Sequence, residues 1–461
     1  MKTRLAWLAG LLALFGLASA GVGAAYLRGL PRIEVAFRDL RLTGIEQPGL
    51  HDCLWIGPVS IDTVNLAFPD GGAVYWPAVF TAPMAEGEYL EISGLYPATR
   101  YFSFNTYRSG AAPHDHLSDQ QIEPDAGAIN PFVTGRTLAG QRYTIRVLPG
   151  SAPDEPPPNT LYFGPPGTVD AVPLIYRVYV PEVPGDPSGG AGLPDVTLVR
   201  ADGTRLTDEA LCAALDSARI DSDARAVQVP VIPLSIYQAM FGSREVRDSV
   251  LYAPGGTWNL FWSPRLSVLR TSAPRLARVM ALGARLGLVS QSSGFYANAD
   301  NAYVSTYINE RFGAVVVLEG RLPRTPVRGA DAAQGAAFDL RYWSLCTNEG
   351  LASTRYADCV HDGQVTLDAA RRYTIAISKA ENRPNNARSD CGVTWLDWGT
   401  EGDGAGHAHL GILILRNMLP NPDFAQAIQR IAYPGDERAT MAEYLPEVRY
   451  ESRATFERRG C

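Results

Sequence analysis

Four short blocks of this sequence occur twice, in the same order. Arg100-Tyr101-Phe102-Ser103-Phe104 returns as Arg341-Tyr342-Trp343-Ser344-Leu345. Asp119-x-Gln121-Ile122-x-x-Asp125 returns as Asp362-x-Gln364-Val365-x-x-Asp368. Gln141-Arg142-Tyr143-Thr144-Ile145 returns as Arg371-Arg372-Tyr373-Thr374-Ile375, and Leu174-Ile175-Tyr176-Arg177 as Leu413-Ile414-Leu415-Arg416. Order kept across four blocks predicts a duplicated domain, which restricts the chain to two similar folds packed as a pair.

Within each repeat the segments are short, alternating and rich in β-branched and aromatic residues, as at 74–80, 101–107 and 143–147, with turn-rich stretches between them. That pattern predicts a mainly β fold: two related β-sandwich or jelly-roll domains from an internal duplication, joined by a helical segment. The first repeat spans 49–204, the helical connector 205–289, and the second repeat 290–461 with a C-terminal helix and tail. In the connector, Thr207-Asp208-Glu209-Ala210 has the form of a capped helix start, 230–241 offers another helix, and Ala273-Pro274 opens a third with Leu276, Val279, Met280 and Leu286 apolar. Asn421-Pro422-Asp423 predicts a short helix running to Ile431. The interface between two such repeats is a natural ligand cleft.

The N-terminus reads Met1-Lys2-Thr3-Arg4, then an apolar run at 5–17, then Ala18-Ser19-Ala20 before Gly21. This is the pattern of a signal peptide over 1–20, with 21–48 as a connector. The alternative is an uncleaved membrane anchor extending to about 27. Either reading puts the bulk of the chain outside the cytoplasm, periplasmic or secreted, or facing out from the inner membrane. Membrane contact is expected only through that segment. Net charge is −7 with no basic cluster, so nucleic acid is an unfavoured partner. Six cysteines follow the leader: Cys53, Cys212, Cys346, Cys359, Cys391 and Cys461. Cys346 and Cys359, flanking one strand and its loop, are the expected disulfide; Cys212, on an apolar helix face, reads as a free core thiol.

No recognised catalytic motif is present, so catalytic residues are unassigned. His114-x-His116 and His407-x-His409 each place two imidazoles on one strand face, and a divalent metal is the one cofactor this pattern admits. Exposed loop histidines are the simpler reading. Asp119, Asp125, Asp362 and Asp368 are candidate acid–base groups, more simply turn residues. Arg177 and Arg416 lie mid-strand in apolar runs, where a guanidinium needs a carboxylate from the protein or from a ligand. Trp395 and Trp398 offer stacking surfaces. The ligand-binding candidates are therefore Arg177, Arg416, Trp395, Trp398, Asp119 and Asp362.

Through Arg100-Tyr101-Phe102-Ser103-Phe104-Asn105, Asn130-Pro131-Phe132, Asn159-Thr160-Leu161-Tyr162, Gly189-Gly190-x-Gly192-Leu193-Pro194 and Leu415-Arg416-Asn417-Met418-Leu419-Pro420, the chain resembles a family of exported bacterial proteins of uncharacterised function. Each half also resembles a β-sandwich domain-of-unknown-function family. The resemblance implies a β-rich fold and an envelope or extracellular location, and it transfers no catalytic residue. The leading expectation is binding of a small-molecule or glycan-like ligand at the inter-repeat cleft. The rivals are a His/Asp-dependent, optionally metal-dependent, hydrolase or lyase, and a structural envelope protein.

Overall fold

The computed structural model describes residues 33–35, 49–51, 54–63, 65–80, 86–108, 112–164, 172–215, 227–229, 234, 237, 256–264, 266–267, 270, 274–292, 294–333 and 337–461. The N-terminal leader, Cys53 and nearly all of the expected helix at 230–241 lie outside the described residues.

The chain is mainly β. Two short antiparallel pairs stand apart from the rest: β1 (Ile33–Val35) with β13 (Val227–Val229), and β2 (Gly49–His51) with β3 (Trp55–Gly57). The first half forms two sheets. One runs β4 (Ala73–Phe80), β10 (Val172–Pro181), β6 (Thr99–Tyr107), β7 (Pro113–Ser118). The other runs β12 (Arg205–Leu206), β11 (Asp195–Val199), β5 (Tyr89–Leu95), β8 (Arg142–Leu148), β9 (Thr160–Tyr162). The second half repeats the plan. One sheet runs β14 (Asn259–Leu260), β15 (Asn301–Asn309), β21 (Leu410–Pro420), β17 (Leu340–Asn348), β18 (Tyr356–His361). The other runs β20 (Val393–Asp397), β19 (Arg372–Ser378), β16 (Val315–Arg321), β22 (Glu447–Glu451). With β12 and β14 set aside the two halves have the same strand order. Each also carries a single parallel pairing at the same place, β8–β9 in one and β19–β20 in the other.

The repeated Arg-Tyr blocks form the central strands β6 and β17, which are buried along their whole lengths. Side chains alternate between the faces of a strand. Phe102 and Phe104 enter the core of the first sandwich, and Trp343 and Leu345 that of the second. The alternate residues Tyr101 and Tyr342 meet Ala73, Tyr179 and Met418 in a separate cluster between the halves. Tyr179 is the hub, with ring centroids 5.5 Å from Tyr101 and 5.2 Å from Tyr342. The sheet holding β6 and β10 thus packs face to face on the sheet holding β17 and β21, and both faces of the central strands are buried because both are covered.

The region between the repeats divides its packing. In the helix Asp208–Leu215, Leu211 and Leu215 join the first core. From Trp258 through the helix Pro274–Arg285, the buried residues Leu260, Trp262, Leu266, Ala277 and Ala284 join the second. The latter helix turns its small residues inward, and Val279 and Leu286 are exposed. The helix expected up to Ile431 is absent. A single 3-10 turn forms at Ile428–Arg430, because the Ile428 amide donates to Asn417 Oδ1 of β21 rather than to a preceding turn. Short helices form further on, at Glu437–Met441 and Arg453–Glu457.

Cys346 and Cys359 sit directly opposite each other on β17 and β18 and are bonded, as expected. Cys391 is bonded to Cys461. Cys212 is disulfide-bonded rather than a free thiol, since its apolar helical setting does not exclude a bond to a distant segment. Disulfides persist in oxidising compartments. Among the described residues no helix is long and apolar enough to cross a membrane.

Candidate functional site

The two facing sheets carry an arginine at matching places. Arg177 on β10 pairs in register with Tyr75 of β4, and Arg416 on β21 with Tyr303 of β15. Each guanidinium lies over its cross-strand ring, at 5.7 Å for Tyr75 and 5.8 Å for Tyr303. Each also reaches into the other half. Arg416 Nη2 donates to the Phe68 carbonyl at 2.8 Å, and Arg177 Nη2 to the Tyr296 carbonyl at 2.5 Å. The loops carrying those carbonyls precede β4 and β15, so each half's entry loop caps the other half's arginine.

Between the arginines lies a cavity of about 230 Å³. Phe68, Phe261, Phe295, Ile175 and Ile414 supply much of its mainly apolar lining, and Arg177, Arg416, Asp70, Asn298 and five tyrosines much of its polar part. Phe68 and Phe295 pack edge to face across it, with centroids 5.6 Å apart.

The arginines differ in their counter-charge. Arg416 Nε lies 3.6 Å from Asp70, which also accepts from Tyr342 at 2.7 Å and Ser344 at 2.8 Å, and Arg416 Nη1 donates to Cys346 Sγ. Arg177 is 2% exposed and has no carboxylate in ion-pair range among the described residues; its Nη1 is buried without a hydrogen-bond partner. Its neighbours are rings, with Tyr107 at 5.4 Å as well as Tyr75. Burial pushes the Tyr75 hydroxyl up to about 12 and raises Tyr107 and Tyr179 too, so none of them is a phenolate at neutral pH.

Of the ligand-binding candidates, Arg177 and Arg416 line the cavity and the other four do not. Asp362 binds Arg100 at 2.7 Å and Asp119 binds Arg341 at 3.0 Å, each across the contact between the halves. These repeated acids are therefore a reciprocal clamp. Burial pushes the Asp119 carboxyl up from 3.8 to about 6 against the pull of Arg341. A carboxyl raised in the fold stabilises fully below its unfolded value and loses that contribution as pH rises through the folded one. The stability of the wild type relative to Asp119→Asn should therefore fall from pH 4 to pH 7 in urea titrations. A rise over that range would contradict this.

Asp125 accepts from Thr144, and Asp368 from the Ala370 and Arg372 amides, both in turn settings. Trp398 is core, its indole N–H donating to the Leu410 carbonyl. Trp395 lies on β20, covered by Arg383 at 4.3 Å. The histidine pairs do not converge on a metal position. His114 accepts from Arg108, His116 faces Asp300 at 3.3 Å, and His407 holds Asp403 at 2.7 Å with the His409 ring 6.3 Å away. Among the described residues the only cluster with metal-ligand spacing is Asp70 with Cys346 and Cys359, and those two sulfurs are spent on each other.

The sequence reading missed Phe68, Asp70, Phe295, Tyr296 and Asn298. A signal for them exists. Counting back five residues from the equivalent Tyr75 and Tyr303 gives Asp70 and Asn298, and counting back seven gives Phe68 and Tyr296.

No family model matches the chain, and no curated protein matches it. Among solved structures, an uncharacterised protein from Burkholderia cenocepacia is similar over 84% of this chain and 83% of its own, at 13% identity and a TM-score of 0.42. The VPA0106 protein from Vibrio parahaemolyticus is similar over 90% and 95%, at 10% identity and a TM-score of 0.37. At these values neither neighbour bears on what the cavity holds.

Proposed function

We propose that this protein is exported to the periplasm or beyond and binds a small, largely apolar molecule in the cavity between its two sandwiches, without chemistry. The observation that supports this most is the cavity itself, roofed and floored by phenylalanine, tyrosine and isoleucine from both halves. Apolar walls with a few fixed polar groups are the usual composition of a small-molecule site. A glycan is a poorer fit, because most of the cavity wall is apolar and Asp70 and Arg416 are already engaged with each other. Hydrolase chemistry would need an uncommitted acid–base pair, and the cavity's carboxylate, Asp70, is engaged by Arg416, Tyr342 and Ser344. Export rests on the leader-like N-terminus and on the disulfides.

Titration calorimetry with 1-octanol tests the reading. Saturable binding with a negative heat-capacity change is expected for the wild type. Ile175→Trp, which fills the space, should lose roughly tenfold or more in affinity, with the circular-dichroism spectrum and melting behaviour retained. No binding to the wild type, or equal binding to the folded variant, would remove the proposal.

A further inference from the structure

The two arginine sites are built to one plan and differ in whether the arginine is ion-paired. Asp70 and Asn298 stand five residues before Tyr75 and Tyr303, the cross-strand partners of the two arginines. Both accept a tyrosine hydroxyl from the opposite half, Asp70 from Tyr342 and Asn298 from Tyr101. At Arg416 the position is a carboxylate and completes an ion pair. At Arg177 it is a neutral amide. A second exchange goes the same way. Arg416 Nη1 finds Cys346 Sγ on β17, and the matching residue of β6 is Asn105, whose amide N–H is spent on Ser103.

The consequence is a pair of stranded donors. Arg177 Nη1 and Asn298 Nδ2 are both buried without a hydrogen-bond partner, and both residues line the cavity. An uncompensated guanidinium in an apolar enclosure is costly to bury. An orphaned amide N–H beside it adds to that cost. The carboxylate on this side, Asp300, takes the Tyr101 hydroxyl at 2.6 Å and faces His116 at 3.3 Å rather than Arg177, so the fold ion-pairs one arginine and leaves the other to a carboxylate from outside.

Resting on the cavity reading above, we infer that the ligand is a monocarboxylate with an apolar body. Its carboxylate takes the role at Arg177 that Asp70 plays at Arg416, approaching from the cavity and accepting from Arg177 Nη1 and Asn298 Nδ2. Its hydrocarbon lies against the Phe68–Phe295 pair and the isoleucines beside it. A planar carboxylate suits the guanidinium fork, and charge-assisted hydrogen bonds are about twice as strong as neutral ones.

The test is calorimetry at pH 7.5 with three ligands of one chain length: octanoate, 1-octanol and octylammonium. Octanoate should bind roughly tenfold or more tighter than octanol, and octylammonium should not bind. Arg177→Gln should bring octanoate down to the octanol level. Asn298→Asp supplies the protein's own carboxylate, so it should abolish the octanoate preference, keep octanol binding and raise the melting temperature. That variant carries the test should Arg177→Gln fail to fold. Octanol binding as tightly as octanoate would overturn the inference and leave the cavity reading standing. Binding of neither would overturn both. An octanoate preference that survives Asn298→Asp would also overturn it, because the charge recognised would then lie elsewhere.

Discussion

Asp362→Ala is expected to lower the unfolding free energy by about 3–5 kcal/mol, the usual cost of stranding one member of a buried ion pair. Arg100 is 3% exposed, and its Nη1 lies 2.7 Å from Asp362 Oδ2 across the contact between the sandwiches. Thr325 and the Trp343 amide also donate to that carboxylate, so its loss strands three donors at once. Removing both charges is a different experiment. Arg100→Met combined with Asp362→Leu should recover most of the loss, because hydrophobic replacement of a whole buried pair is close to neutral or better. Urea denaturation of Arg100→Met, Asp362→Leu and the double variant gives the coupling directly. A single variant near neutrality would mean that the tyrosine cluster around Tyr179, and not the clamp, holds the halves together. The reciprocal Asp119–Arg341 pair should be the weaker, since burial already favours the neutral carboxyl there.

Arg416→Met and Arg177→Met should have opposite effects despite their equivalent positions. The first leaves Asp70 buried beside a methionine, at an expected cost of about 3–5 kcal/mol. The second removes a cation with no counter-charge. The Tyr296 carbonyl keeps a donor in the Tyr107 hydroxyl at 3.3 Å. Its stability should therefore be unchanged or higher, by up to about 2 kcal/mol on the scale of desolvating a buried charge. Thermal and urea melts of the ligand-free proteins decide this. Equal losses in both variants would show that Arg177 is paid for by some group of the fold after all, and the argument for an external carboxylate would fall with it.

How far the sequence is readable depends on the range of the interaction. The alternation in Arg100-Tyr101-Phe102-Ser103-Phe104 and its later copy is a property of a few consecutive residues, because a strand turns successive side chains to opposite faces. It announces β-strands before any partner is known. The Cys346–Cys359 bond is legible for the same reason, as it closes one hairpin. Asp119 and Asp362 do accept backbone amides, as turn acids, but their arginine partners lie in the other half, beyond any local reading. Trp395 and Trp398 looked like binding surfaces, yet one is covered by Arg383 and the other is core. The expected helix before Ile431 gave way to a tie with Asn417, a partner that no local rule supplies.

By itself the sequence determined the β class, the order of the strands along the chain and the matching places of Arg177 and Arg416, since these follow from period-two patterning and from repeated blocks. Which arginine is neutralised, which acids clamp the halves and where a cavity opens were decided only when two sheets met face to face. Burial and charge compensation are sums over every neighbour in space, and the clamp partners are 262 and 222 residues apart along the chain.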